Sequence, residues 1–239
     1  MTTFHLISLF PESFESYLNA SIIKRAQERG LITVKHYNPR DFATTKDGKK
    51  AKTYAERRVD NRPYGGGPGM VIEALPVIKA IEKAIGKKRA GRRKEKGGKH
   101  KVKIIFFSPA GEQFSNVVAD SLKKYTDIVL VCGRYEGIDA RIKKAFPMED
   151  VSVGPYVLTG GELPAMIVID SITRRLPGVL GHGQSIEELR VASPDVYTRP
   201  EVITYKNKKL RVPRILLSGN HAKMDEWKVT RKEANKGKM

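Results

Sequence analysis

A bend rich in glycine and proline, at residues 58–70, is the sequence feature that most restricts the possible folds of this chain. It holds four glycines, Gly65, Gly66, Gly67 and Gly69, together with stiffening prolines at 63 and 68. Glycine permits positive φ and close approach of the backbone, whereas proline restricts the turn. The pattern predicts a rigid surface loop that holds a ligand or substrate. The alternative is a flexible glycine loop, against which the interleaved prolines argue.

The charge of the chain indicates its partner. Lys and Arg number 45 against 26 Asp and Glu, which gives a net charge of +19. Such a field attracts polyanions, so nucleic acid is the leading partner, with a merely soluble basic protein or an acidic-membrane binder as alternatives. No apolar run reaches the roughly 18 residues of a membrane span, and residues 1–10 lack the layout of a signal peptide. We therefore expect a cytosolic chain without membrane attachment.

Apolar periodicity predicts an α/β fold with a parallel sheet. Strands are predicted at 5–10, 32–37, 103–107, 128–132 and 151–158, and helices at 14–30, 72–85, 116–125 and 164–176. Cys132, the only cysteine, lies in one of these strands. A single cysteine excludes an internal disulfide and a cysteine-rich zinc site, and no metal site is expected from the residues.

A basic insertion at 86–101 interrupts the pattern with nine Lys and Arg residues and one acid. It predicts a mobile loop that is either solvated without a role or a non-specific contact to RNA phosphates. The spacing of Gly86 and Gly91 imitates the start of a phosphate-binding P-loop. Arg92 and Arg93 stand where that motif needs Lys followed by Ser or Thr, which argues against a nucleoside triphosphatase.

Three loops are predicted at the carboxyl ends of strands, where open α/β sheets bind their ligands. They lie at 108–111, 132–139 and 154–164. Each combines glycine or proline with few charges, which suits a neutral or weakly charged ligand held by backbone groups. The first strand is not followed by G-x-G-x-x-G, which argues against a dinucleotide-dependent dehydrogenase.

The order of motifs resembles one family closely. The matching stretches are 8–11, 39–42, 59–70, 131–139, 156–166, 177–182, 197–202 and 216–222. Together they are similar to the bacterial tRNA (guanine-N1)-methyltransferases over about Ile7 to Trp227. The resemblance implies a SPOUT-type fold with a deep trefoil knot, an exception to the usual absence of knots.

The same resemblance implies a division of the chain and a reaction. Residues 1–182 would form the knotted catalytic domain, 183–200 a flexible interdomain segment, and 201–239 a shortened C-terminal extension that contacts tRNA. A homodimer would transfer a methyl group from S-adenosylmethionine to N1 of the guanosine immediately 3′ of the anticodon, and magnesium dependence is a family expectation. A catalytically weakened, knotted RNA-binding protein is the alternative.

By matching motif positions, the resemblance also assigns site residues. The methyl donor would contact Pro109, Gly133, Tyr135, Glu136, Val153, Gly154, Pro155, Tyr156, Val157, Leu158, Gly160, Gly161 and Pro164. The tRNA would contact Asp60, Asn61, Tyr64 and Arg199. Two of these depart from the family pattern, since Pro155 and Asn61 each stand where relatives carry Asp.

Catalysis needs a base and a cation, because guanine N1 carries a proton whose loss spreads negative charge to O6. Arg174 matches a family arginine implicated in catalysis, although it could instead form an ordinary ion pair with Asp170, four residues earlier. Asp60 is a further candidate catalytic residue. The family's catalytic Asp corresponds by direct count to Leu189. A one-residue deletion places Glu188 there, with Glu187 and Asp195 as further candidates.

Overall fold

The structure is a computed structural model that describes residues 1–45, 47–86, 101–180 and 195–236, with side chains up to 231. Most of the basic insertion (87–100) and both candidate bases, Glu187 and Glu188, lie outside the described residues. The chain divides into two compact units, Met1–Leu180 and Gly181–Met239, which are described separately.

The first unit is built on a parallel sheet, as predicted. Its strands are β1 (Thr2–Ile7), β2 (Ile32–Tyr37), β3 (Asp60–Asn61), β4 (Val71–Ile72), β5 (Val102–Gln113), β6 (Asp127–Val131) and β7 (Glu149–Ser152). Five of them form the main sheet in the order β2-β1-β6-β5-β7, and β3 and β4 form a separate antiparallel pair. Every neighbouring pair in the main sheet is parallel.

Helices cover both faces of this sheet. They are α1 (Glu15–Leu18), α2 (Ser21–Glu28), α3 (Ala74–Ile85), α4 (Asn116–Leu122), α5 (Ile142–Ala145) and α6 (Glu162–Thr173). One apolar core joins alternate strand residues such as Phe4 and Leu130 to α2, α4 and α6, whereas the other joins Ile7 and Val131 to α3 and α5. Burial on both faces explains the apolar runs of β5 at 104–107 and of β6 at 128–131.

The structure corrects three predicted boundaries. The helix predicted at 14–30 is a 3₁₀ turn (Pro11–Phe14) followed by α1 and α2. The strand predicted at 5–10 ends at Ile7, and the one predicted at 151–158 ends at Ser152.

The loop predicted at 108–111 lies within β5, which resumes pairing with β7 at Glu112. A Cβ on Gly111 would lie 2.5 Å from the backbone carbon of Asp150, so only glycine allows this approach.

The second unit contains a hairpin and a helix that sequence reasoning did not predict. Strands β8 (Val202–Tyr205) and β9 (Lys208–Arg211) pair antiparallel through Lys206 and Asn207, both at positive φ. Positive φ at both central residues is the geometry of a tight hairpin turn whose twist matches its strands. Helix α7 (His221–Lys236) follows, and the Asn220 side chain accepts a capping hydrogen bond from the Lys223 N–H at 3.2 Å.

Candidate active site

A cavity of about 470 Å³ lies beside the carboxyl ends of β6 and β7 and the interruption of β5. Its lining includes most of the residues predicted to bind the methyl donor: Pro109, Gly133, Tyr135, Glu136, Val153, Gly154, Tyr156, Val157, Leu158, Gly160, Gly161 and Pro164. Pro155 is exposed and does not line it. The fold therefore gathers nearly all of this set around one space.

Other lining residues were missed by the sequence analysis. Phe106 and Phe107 come from β5 and Lys143 from α5, and the Lys143 ammonium lies 4.8 Å from the centre of the Phe106 ring. Arg134 and Ile138 belong to a predicted loop but were not singled out. The phenylalanines were predicted within a strand, and no spacing signal marks which strand residues border a cavity.

Two glycine-containing loops meet very closely at the cavity. The Gly161 N–H donates to the Gly133 carbonyl at 2.9 Å, and Gly160 forms an isolated antiparallel bridge with Arg134. A Cβ on Gly161 would lie 2.6 Å from the Cα of Cys132, closer than carbon atoms pack. Gly161 is thus required by contact with a neighbouring backbone rather than by a left-handed conformation.

A buried charge pair lies where these loops join the sheet. Glu162 is 2% exposed, and its carboxylate lies 2.9 Å from the Arg134 guanidinium and accepts a hydrogen bond from the Ser8 hydroxyl at 2.7 Å. Cys132 lies beside this pair, and burial raises the pKa of its thiol well above the usual range. The cysteine is therefore an inert core residue, as its position in an apolar run predicted.

The glycine-rich bend packs against the 132–139 loop. Gly65, Gly66, Gly67 and Gly69 all have positive φ, as the composition predicted. The Glu136 N–H donates to the Met70 carbonyl at 3.0 Å, and a Cβ on Gly69 would lie 2.6 Å from a Glu136 carboxylate oxygen. The bend therefore borders the cavity through Glu136.

Comparisons with known proteins agree with this geometry. The sequence model of the family described as "tRNA (Guanine-1)-methyltransferase TrmD" matches residues 2–238. The chain belongs to this family. A tRNA (guanine-N(1)-)-methyltransferase of Clostridioides difficile is 41% identical over 229 residues, which cover 94% of this chain and 90% of that protein. One of Dictyoglomus turgidum is 39% identical over 240 residues, which cover 99% of this chain and 86% of the relative.

A solved structure shares the fold. The crystal structure of tRNA (m1G37) methyltransferase from Aquifex aeolicus aligns with a TM-score of 0.73 at 32% identity, covering 99% of this chain and 92% of that one. The family resemblance and the α/β fold expected from the sequence are both confirmed.

Three of the family's expected tRNA contacts belong to the first unit, and Asp60, Asn61 and Tyr64 do not line the cavity. Asp60 and Asn61 form β3, and the Asp60 carboxylate lies 3.3 Å from the Arg58 guanidinium. Tyr64 is fully exposed at the tip of the glycine-rich bend. Arg199 is exposed in the second unit. The roles of these four residues stay predictions.

The expected catalytic Arg174 lies at the far end of α6 from the cavity, at its C-cap. Asp170, weighed above as its ion-pair partner, accepts a hydrogen bond from the Tyr17 hydroxyl, which raises the pKa of Tyr17 to about 12.

The candidate base Asp195 lies 3.9 Å from the Arg231 guanidinium within the second unit. Within the described ranges, no cluster of three or more His, Cys, Asp or Glu could hold a metal ion, and no helix could span a membrane.

Proposed function

We propose that this protein transfers the methyl group of S-adenosylmethionine to N1 of guanosine 37 in tRNA. Family membership over residues 2–238 is the observation that carries the proposal. The structure adds that twelve residues predicted from family motifs, listed above, surround one cavity. The net charge of +19 suits an RNA substrate, because it favours approach to phosphates.

The cavity fits the methyl donor in size and chemistry. A volume of about 470 Å³ is within the range of small-molecule sites. Phe106, Ile138 and Leu158 offer apolar surface for an adenine ring, whereas Glu136 offers negative charge to a cationic donor. When bound, the cofactor supplies an electrophilic methyl group on a sulfonium. The glycine-lined walls would bind the cofactor through backbone groups. Backbone groups already join two of these walls, since the Gly161 N–H donates to the Gly133 carbonyl.

The remaining chemistry belongs to the protein and concerns the guanine. A carboxylate must take the N1 proton, and a guanidinium near O6 would stabilise the negative charge that results. We assign the base to Glu188, with Glu187, Asp60 and Asp195 as alternatives, and the cation to Arg174. Asp60 and Arg199 would help to hold the tRNA, together with Asn61 and Tyr64.

The position of Arg174 supports a homodimer. It follows the cavity residue Pro164 by ten positions on α6, which corresponds to about 15 Å along the helix. The same face of α6 exposes two apolar side chains, Leu163 at 54% and Ile167 at 44%. If two copies pair through this face in opposite directions, Arg174 of the partner subunit reaches the cavity. The site would then be incomplete in one chain.

We also infer that the segment at 153–161 forms part of the trefoil knot expected for the family. The support for this inference is the close contact of Gly160 and Gly161 with residues 132–134. Glycine lacks a side chain, so it allows one backbone segment to pass this close to another. The knot would bring the ends of three sheet strands around one ligand.

The function is tested by incubating the protein with labelled S-adenosylmethionine and unmodified tRNA that carries guanosine at positions 36 and 37. We expect 1-methylguanosine at position 37 alone. The matched control is the same tRNA with adenosine at 37, which should take up no label. Cofactor and tRNA binding without transfer would instead favour the weakened RNA-binding protein, and label at another position would refute the assignment.

A further inference from the structure

The buried carboxylate of Glu162 connects three segments that the sequence keeps far apart. Its two oxygens are approached by the Ser8 hydroxyl at 2.7 Å and the Arg134 Nε at 2.9 Å. Ser8 directly follows β1, Arg134 belongs to the loop after β6, and Glu162 is the first residue of α6, directly after the 153–161 segment. The Glu162 carboxylate therefore joins the base of two cavity walls to the carboxyl end of β1.

Further contacts make this group a compact network. The Ser8 hydroxyl accepts from the Phe10 N–H at 2.9 Å while it donates to Glu162. The Phe10 ring lies 4.8 Å from the Arg134 guanidinium, which also donates to the Thr159 carbonyl at 3.4 Å. A Cβ on Gly160 would lie 2.4 Å from Arg134 Nε and 2.5 Å from Glu162 Oε2, so the loop closes directly over the pair.

Stability alone does not explain such a pair. Desolvation of two buried charges costs so much that well-packed apolar residues of similar volume are often as stable or more stable. Here, moreover, the approach of Arg134 Nε to Glu162 Oε2 lacks the alignment of a good hydrogen bond, so charge attraction holds the two groups together. A buried ion pair that adds little net stability can instead fix the arrangement of the loops that it joins.

We propose that Glu162 is a positioning residue that presets the cavity for the methyl donor. Through Arg134 it sets the position of the 132–139 loop, and through its own backbone it sets Gly160 and Gly161. It acts on the walls rather than on the ligand, since neither Glu162 nor Ser8 lines the cavity. The proposal rests on the proposed function, because it takes S-adenosylmethionine to be the ligand.

Glu162→Gln tests the proposal, because it keeps the side chain's size and an acceptor for Ser8 but leaves the Arg134 charge without its partner. Calorimetry without tRNA should show the dissociation constant for S-adenosylmethionine raised about tenfold or more. At saturating cofactor, kcat should stay within about threefold of the wild type, because the walls and not the reacting groups are disturbed. Ser8→Ala should raise the same dissociation constant by a smaller factor, and it carries the test if Glu162→Gln does not fold.

Val77→Ala is the matched control for general destabilisation. Val77 is fully buried in α3, in the core on the other face of the sheet, and does not line the cavity. Its truncation should lower the melting temperature but leave cofactor affinity unchanged. Equal affinity in wild type, Glu162→Gln and Ser8→Ala would overturn the proposal, as would an affinity loss in Val77→Ala matching that of Glu162→Gln. Failure of the wild type itself to bind S-adenosylmethionine would instead refute the proposed function.

Discussion

Replacing Gly161 by alanine probes a close backbone contact at the cavity. The added Cβ would lie 2.6 Å from the Cα of Cys132 and 3.1 Å from the backbone nitrogen of Gly133. Neither backbone segment can move easily, because hydrogen bonds hold both in place. The Cys132 N–H donates to the Ile7 carbonyl in the sheet, and the Gly161 N–H donates to the Gly133 carbonyl, both at 2.9 Å. The methyl group therefore separates the two loops or strains them.

The size of the effect follows from these distances. Carbon atoms pack best at about 3.5–4.0 Å, so the loops must move apart by roughly 1 Å. Overpacking of this kind typically costs about 1–3 kcal/mol. In a chain of this length each kcal/mol lowers the melting temperature by roughly 2–4 °C, so a fall of about 2–12 °C is expected. A displacement of roughly 1 Å can also cost about 100-fold in activity.

Far-UV circular dichroism is an appropriate assay for stability, because the first unit is built largely from helices and strands whose loss it reports. Calorimetry then gives the affinity for S-adenosylmethionine. Gly133→Ala is the matched control for stability, since its Cβ would have Ile138 Cγ1 at 3.8 Å as its nearest neighbour, an ordinary contact. If Gly161→Ala melts and binds like the wild type, the two loops are not seated as described.

Two further predictions concern proton linkage and assembly. Burial lowers the pKa of His5, against the opposing effect of Asp127, so the unfolded chain binds this proton more readily. Stability should then fall as pH drops below about 6.5, and His5→Gln should show a smaller loss of melting temperature between pH 7.5 and 5.5; equal losses would contradict this origin. Separately, Gly161→Ala and Arg174→Ala should each be nearly inactive as pure dimers, whereas dimers re-formed from an equal mixture should regain about a quarter of wild-type activity, because half of them hold one intact site of two. No recovery in confirmed mixed dimers would place Arg174 in the same chain as its cavity.

Local patterns predicted the elements whose signals are local. Strand β2 occupies the predicted range, 32–37, because its β-branched start at 32–34 follows a glycine turn and Pro39 marks its end. The break between α1 and α2 was missed because apolar residues recur every four positions from Phe14 to Ala26 straight across it. Helix α7 was missed because its composition is mostly polar, so no apolar stripe marks it.

The features of the cavity also differ in whether the sequence predicted them. Its glycines were predicted because their clustering is visible in the sequence and matches family motifs. The link from Ser8 to Glu162 was not, since it joins residues 154 positions apart and exists only once the sheet has formed. Ordinary residue types at ordinary spacing carry no signal of such a contact. A buried acid at the start of α6 could have been suspected only from Glu162 standing within an apolar segment.

The identity of the general base is the sharpest test of the reaction chemistry. The family resemblance places the catalytic Asp four residues after the serine of a Gly-His-x-x-Ser motif, and here that count from Ser185 ends at Leu189, which cannot accept a proton. Glu188 lies one position earlier in the sequence, and we propose that its additional methylene compensates for part of the shift. Asp195 lies 3.9 Å from the Arg231 guanidinium, an exposed contact that constrains its carboxylate only weakly.

Glu188→Gln should therefore slow single-turnover methyl transfer by about 10²- to 10⁴-fold, the usual contribution of a positioned base, and should leave cofactor affinity unchanged. Single-turnover measurement isolates the chemical step from product release. Glu187→Gln and Asp195→Asn are the matched variants, and each should stay within about tenfold of the wild type. Loss of transfer in one of these with normal transfer in Glu188→Gln would move the base to that carboxylate. If all three retain wild-type rates, the proton leaves guanine N1 by another route, and Asp60 becomes the next carboxylate to replace.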